Sequence, residues 1–153
     1  MATVSASRSA STFPVPGTGV LRVAHGTYEH ASNLAATTII EYCRIPKGAV
    51  VVGGHFMGDD LDTGTEELDI DIGWAANGVD AADPDGFGNL GVLTGDVSSH
   101  VGAAGIYCPL QGKLFTDGPQ TFGAETVVQG VVNTDAATGG TGTTSVVVFY
   151  YVP

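Results

Sequence analysis

The chain has 153 residues, enough for one domain of ordinary size, and folding would bury roughly 70% of its extended surface without help from a metal or a disulfide framework. Five Lys and Arg stand against 16 Asp and Glu, a formal charge of −11, which repels phosphate backbones and anionic lipid and excludes nucleic acid and membrane surfaces as expected partners. Charged residues make up only 14% and hydrophobic ones 43%, so the exterior must be built largely from Gly, Ala, Ser and Thr, a surface suited to packing against other protein.

In chain order, Met1 to Gly17 is Ser, Thr, Ala and Pro with a single Arg8. It lacks the apolar run of a signal peptide, and Phe13 and Val15 are its main groups to bury, so residues 1–17 read as an extended arm. Val20 to Tyr28 reads as a strand ending near Gly26, and Thr37 to Ile45 as another stopped by Pro46. Pro46-Lys47-Gly48 is a tight turn, with proline presetting φ and glycine free to take a positive one. Ala49 to Phe56, with three consecutive valines, suggests a strand buried on both faces. In Leu68-Asp69-Ile70-Asp71-Ile72 apolar and acidic residues alternate, the period of a sheet with one dry and one wet face, and Trp74 continues the dry phase.

Asp83-Pro84-Asp85-Gly86 reads as a turn, and Leu90–Leu93, Ile106–Leu110 and Lys113–Phe115 as short strands. Thr116-Asp117-Gly118-Pro119 and Thr138-Gly139-Gly140-Thr141-Gly142 are further turns. Glu125 to Val132 is a better strand, and Ser145 to Val152 is the strongest. With 23 Gly, 7 Pro and abundant Thr, helix is disfavoured throughout. About eight short strands at this spacing predict an all-β chain, an antiparallel β-sandwich of jelly-roll-like form over residues 18–153.

Each candidate for chemistry has a plainer reading. Asp62-Thr63-Gly64 matches the aspartic-protease tripeptide, but its flanks, Asp59-Asp60 and Glu66-Glu67, mark a wet loop rather than a dry carboxylate dyad. The acids of that loop, and Asp83, Asp85 and Asn89, could contribute to a calcium site, yet neither set completes an EF-hand pattern, and a solvated acidic loop is the default. His25, His30, His55 and His100 have no metal-ligand spacing, no serine lies in a nucleophile elbow, and the glycine-rich stretches lack the Lys of a phosphate loop. No catalytic residue, metal or cofactor is expected. Cys43 and Cys108 read first as two reduced, buried thiols, with a bridge within or between chains as the alternative. From Asp59 to Asp96 there are eleven acids and no Lys or Arg, a field that would speed encounter with a cationic partner or simply keep the chain soluble.

Arg44-Ile45-Pro46-Lys47-Gly48-Ala49, the apolar strand and acidic loop after it, Leu68 to Gly73, and Thr143-Thr144-Ser145 running on to Tyr151 together resemble small virion proteins of tailed bacteriophages. The resemblance spans most of residues 18–152. It implies a capsid decoration, or cement, protein with no catalytic residue, bound outside the shell to the major capsid protein and associated with itself as a homotrimer. Such a protein is assembled in the bacterial host cytoplasm and resides in the virion. The contact elements would be the arm, with Phe13, Pro14 and Pro16, and the loops at Pro46 and Pro119. Three alternatives remain: a calcium-assisted carbohydrate- or receptor-binding sandwich using an aromatic such as Trp74, a hydrolase built on Asp62, and a tail or connector component of the same virion.

Overall fold

The computed structural model describes residues 1–5, 20–93 and 105–153. Two sheets face each other. In one, β1 (Thr3–Ser5), β3 (Ile39–Ile45), β9 (Thr126–Thr134), β5 (Asp69–Trp74) and β6 (Asp83–Gly88) lie side by side in that order. In the other the order is β2 (Arg22–His30), β10 (Gly142–Tyr151), β4 (Val50–Asp59), β7 (Gly105–Pro109), with β8 (Gln120–Thr121) also paired to β4. Every pairing is antiparallel except that of β1 with β3. From β2 onward the chain changes sheet at each connection except β5 to β6 and β7 to β8. The chain is an all-β sandwich, as its turn-rich sequence predicts.

The core follows from strand alternation. Along β10, Thr144, Val146, Val148 and Tyr150 are buried while the residues between them are half-exposed. They meet Ile40, Tyr42, Phe56, Ile70 and Ile72 in one apolar cluster between the sheets. Polar groups that enter it are paired: the Thr144 hydroxyl lies 2.8 Å from both the Tyr42 hydroxyl and His30 Nε2. Trp74, Phe87 and Phe122 stack edge to face at one end, with centroids 4.8–6.2 Å apart, and the indole N–H donates to the Ala81 carbonyl at 3.0 Å.

Several local expectations are corrected. The first strand does not stop near Gly26 but runs to His30, because glycine there serves a different purpose. A β-carbon on Gly26 would lie 1.9 Å from the Tyr42 carbonyl oxygen, so only glycine lets β2 cross β3 this closely. The valine run is not buried on both faces: Val50 and Val51 are covered, but Val52 is 42% exposed. Asp83-Pro84-Asp85-Gly86 is not a turn but the start of β6, where proline is tolerated because β6 is an edge strand. Leu90–Leu93 forms no strand and contributes only a single bridge, Asp69 to Val92.

Lys113–Phe115 is helical rather than extended. It lies in a one-turn helix, α1 (Gly112–Thr116), closed by Leu114 N–H to Gln111 at 2.8 Å and Asp117 N–H to Lys113 at 2.8 Å. Gly112 takes φ +44°, and the turn draws Lys113 onto the Asp83 carboxylate. Three residues carry too little periodicity to separate helix from strand. The arm residues Phe13, Pro14 and Pro16 lie outside the described residues.

Candidate interaction face

The outer surface of the β2-β10-β4-β7 sheet presents the outward rows of four strands. These are Val23, His25, Thr27 and Glu29 on β2; Thr143, Ser145, Val147, Phe149 and Tyr151 on β10; His55, Met57 and Asp59 on β4; and Tyr107 and Pro109 on β7. The register sets them in cross-strand rows: Val147 stands opposite both His25 and His55, and Phe149 opposite both Val23 and Gly53. His55 lies between two aromatics, with ring centroids 5.5 Å from Tyr107 and 5.7 Å from Phe149. Val23 is 46% exposed and Tyr107 41%.

Charge on these rows is confined to one end, where Glu29 and Asp59 flank Thr143 and accept from its hydroxyl (3.2 Å) and its N–H (2.8 Å). The rest of the face is apolar, aromatic or hydroxylic. Covering such a surface displaces water from carbon with little charge to desolvate. Composition predicted an exterior low in charge; strand alternation shows where the uncharged part is concentrated.

The opposite sheet is of the other kind. Its outward positions include Glu41, Asp69, Asp71 and Asn133, and Arg44 lies 3.6 Å from Glu125. The wet phase expected for β5 is corrected at Asp71, which is buried under Asn133, whose side chain donates to it at 2.6 Å. Burial pushes the Asp71 carboxyl above the ordinary range and neighbouring Asp69 adds to the shift, while the Asn133 hydrogen bond opposes it. On β6, a hydrogen bond that the protonated Asp85 carboxyl donates to Asp83 raises it, burial adding to the shift, and Lys113 pairs with Asp83 while resting 5.6 Å from the Trp74 ring.

Asp62 is buried and acts as a staple. Its carboxylate accepts backbone N–H bonds from Glu67 (2.9 Å), Leu68 (3.3 Å), Ala137 (3.0 Å) and Thr138 (3.1 Å). Burial alone would raise its pKa, but these four donors overcome that and hold it below the ordinary value. Three of these donors converge on Oδ2 and one on Oδ1, so the carboxylate ties its own loop to the Ala137-Thr138 turn, and the tripeptide has a structural contact here. Among the described residues no three His, Cys, Asp or Glu side chains converge as metal ligands. Trp74 is buried in the aromatic cluster and cannot stack on a sugar.

His30 is buried against Tyr28, and burial lowers its pKa to about 4, with Glu29 opposing the shift. Cys43 is a free thiol in the core on β3, burial raising its pKa to about 12; Cys108 is a free, half-buried thiol on β7. Pro46 and Pro119 come to the same end of the sandwich. There Gly48 N–H donates to Phe122 at 2.8 Å and Phe122 N–H to Ala49 at 3.0 Å.

No protein-family model and no curated protein matches the sequence. Three solved structures share the fold. The chain is similar to one in the capsid of Ralstonia phage GP4, with 24% identity, 99% of each chain covered and a TM-score of 0.74. It is similar to one in the cyanophage Pam1 capsid asymmetric unit, with 24% identity, coverage of 92% and 93% and a TM-score of 0.65. A third, in the acidic stable capsid of Helicobacter pylori bacteriophage KHP30, gives 14% identity, coverage of 88% and 94% and a TM-score of 0.52. The β-sandwich described above is therefore a fold found in the capsid structures of three bacteriophages.

Proposed function

We propose that this chain is a non-enzymatic virion protein that binds the outside of a bacteriophage capsid and stabilises it through protein–protein contacts. The observation that carries the reading is the asymmetry of the sandwich. One outer face, bearing Val23, Val147, Phe149, His55 and Tyr107, is almost free of charge, while the opposite side carries acidic groups. The uncharged face seats on the major capsid protein, and Glu41 and Asp69 of the other sheet stay in water. Coverage of 99% and 92% of the sequence by chains in phage capsid structures supports the same role.

Copies associate as a homotrimer, because a closed ring multiplies weak contacts into lasting attachment. The order β2-β10-β4-β7 against β3-β9-β5-β6 supports a jelly-roll reading, an architecture used by capsid domains. Phe13, Pro14 and Pro16 of the arm and the turns at Pro46 and Pro119 are further contact elements. Neither nucleic acid, membrane nor a cofactor takes part, and the protein joins the virion exterior after synthesis in the host cytoplasm.

Light scattering on the purified chain, followed by co-sedimentation with undecorated shells, tests this. A trimer that pellets with shells is the expected result. A monomer that stays in the supernatant at high concentration rejects it.

A further inference from the structure

We propose that the groove between β6 and β7 is the anchor point of this attachment, taking an apolar side chain carried on a basic segment of the shell subunit. The inference rests on the reading above and names how that partner is gripped. The groove holds about 500 Å³ and is lined by Leu90, Tyr107, Cys108, Pro109 and Phe115. Phe115 is 84% exposed, although the helix it stands on is tied to β6 and to the core.

Helix α1 is held from several sides. Gln111 N–H donates to the Phe87 carbonyl at 2.7 Å, Leu114 packs against the core, and Lys113 pairs with Asp83 above the Trp74 ring. Gly112 lies so close to β6 that a β-carbon would meet the Gly86 oxygen at 2.4 Å. A large aromatic side chain turned to solvent on a fixed support loses little further entropy on binding. Rigid aromatics beside a pocket are also where interface energy concentrates.

Charge selects the partner. The helix that carries Phe115 has acids on both sides: Lys113 is paired with Asp83 on β6, where Asp85 follows two residues on, and Asp117 closes the helix two residues beyond Phe115. A second copy would bring the same acids and a formal charge of −11 to the contact, whereas a segment bearing Lys or Arg is attracted. Continuity points the same way: Tyr107 and Pro109 belong to both the uncharged face and the groove, so a shell subunit seated on the face reaches the groove without a gap.

The test is co-sedimentation of the full chain with undecorated shells at low and high salt, for wild type, Phe115→Ala, Phe115→Glu and Asp117→Asn. Thermal melts would show that each variant is folded. Phe115→Ala should weaken shell binding about tenfold or more, and Phe115→Glu further. Wild-type affinity should fall with salt, less steeply in Asp117→Asn. Wild-type affinity in folded Phe115→Ala would overturn the groove while leaving shell attachment intact. So would an affinity indifferent to salt, or loss of self-association with shell binding retained, which would make a second copy the occupant. A wild-type chain that never pellets would instead reject the attachment itself.

Discussion

At Asp62 a carboxylate joins two loops that are distant in sequence, the segment running up to Leu68 and the Ala137-Thr138 turn, through four backbone donors. Asp62→Asn keeps the shape but replaces one acceptor oxygen by a donor and removes the charge that strengthens the others. It should cost about 2 kcal/mol at neutral pH, read as a melting temperature lower by roughly 4–8 °C. Because the folded pKa lies below the free value, the stability Asp62 contributes is present above the free carboxylate range and lost as pH falls through the folded pKa, so the variant should melt less acid-dependently there.

His30 acts in a higher window. Its folded pKa of about 4 lies below the free value, so as pH falls from about 6.5 towards 4 the unfolded chain takes up a proton that the folded one refuses. Stability should decline by at most about 3 kcal/mol across that interval and level off below it. His30→Phe, which leaves Thr144 bonded to Tyr42, should flatten this part of a melting curve taken against pH; an unchanged slope would assign it elsewhere. Neither role was legible in the sequence: the partners of Asp62 include residues 75 and 76 positions away, and Thr144 lies 114 from His30.

Among the elements, what was legible depended on length. β10 carries an unbroken β-branched and aromatic run from Val146 onward and was readable at once, whereas Lys113–Phe115 was too short to show its period and folds as a helix around contacts to Asp83 and Trp74. Edge strands show a similar division. Leu110 N–H donates to Gly54 at 3.0 Å, so by ladder alternation Pro109 turns its nitrogen to the open side of β7, where proline has no hydrogen to offer an intruding strand. Gly26 is the element-scale position most sensitive to change. Gly26→Ala places a methyl group within the van der Waals radius of the Tyr42 carbonyl and should either prevent folding or cost more than about 4 kcal/mol. Normal expression with a melting temperature close to wild type would show that β2 can lift away from β3.

For the whole molecule, the sequence established a sandwich with unusually little charge, but not which side was bare, because that face draws on four strands separated by long stretches of chain. The signal was present in the outward residues of β10, Ser145, Val147, Phe149 and Tyr151, none of them charged, and becomes decisive only beside Val23, His25 and Tyr107. If attachment runs through this face, charge placed there should abolish it and a change of charge on the opposite face should not. Val23→Glu with Val147→Glu puts two carboxylates where both side chains already meet solvent in part, so the isolated fold should melt within a few degrees of wild type. Burying them against a shell would require desolvating both, and affinity in co-sedimentation should drop by about a hundredfold or more. Glu41→Gln on the other sheet should leave it unchanged. Full binding by the double variant, or equal loss in both proteins, would remove the uncharged face from the attachment.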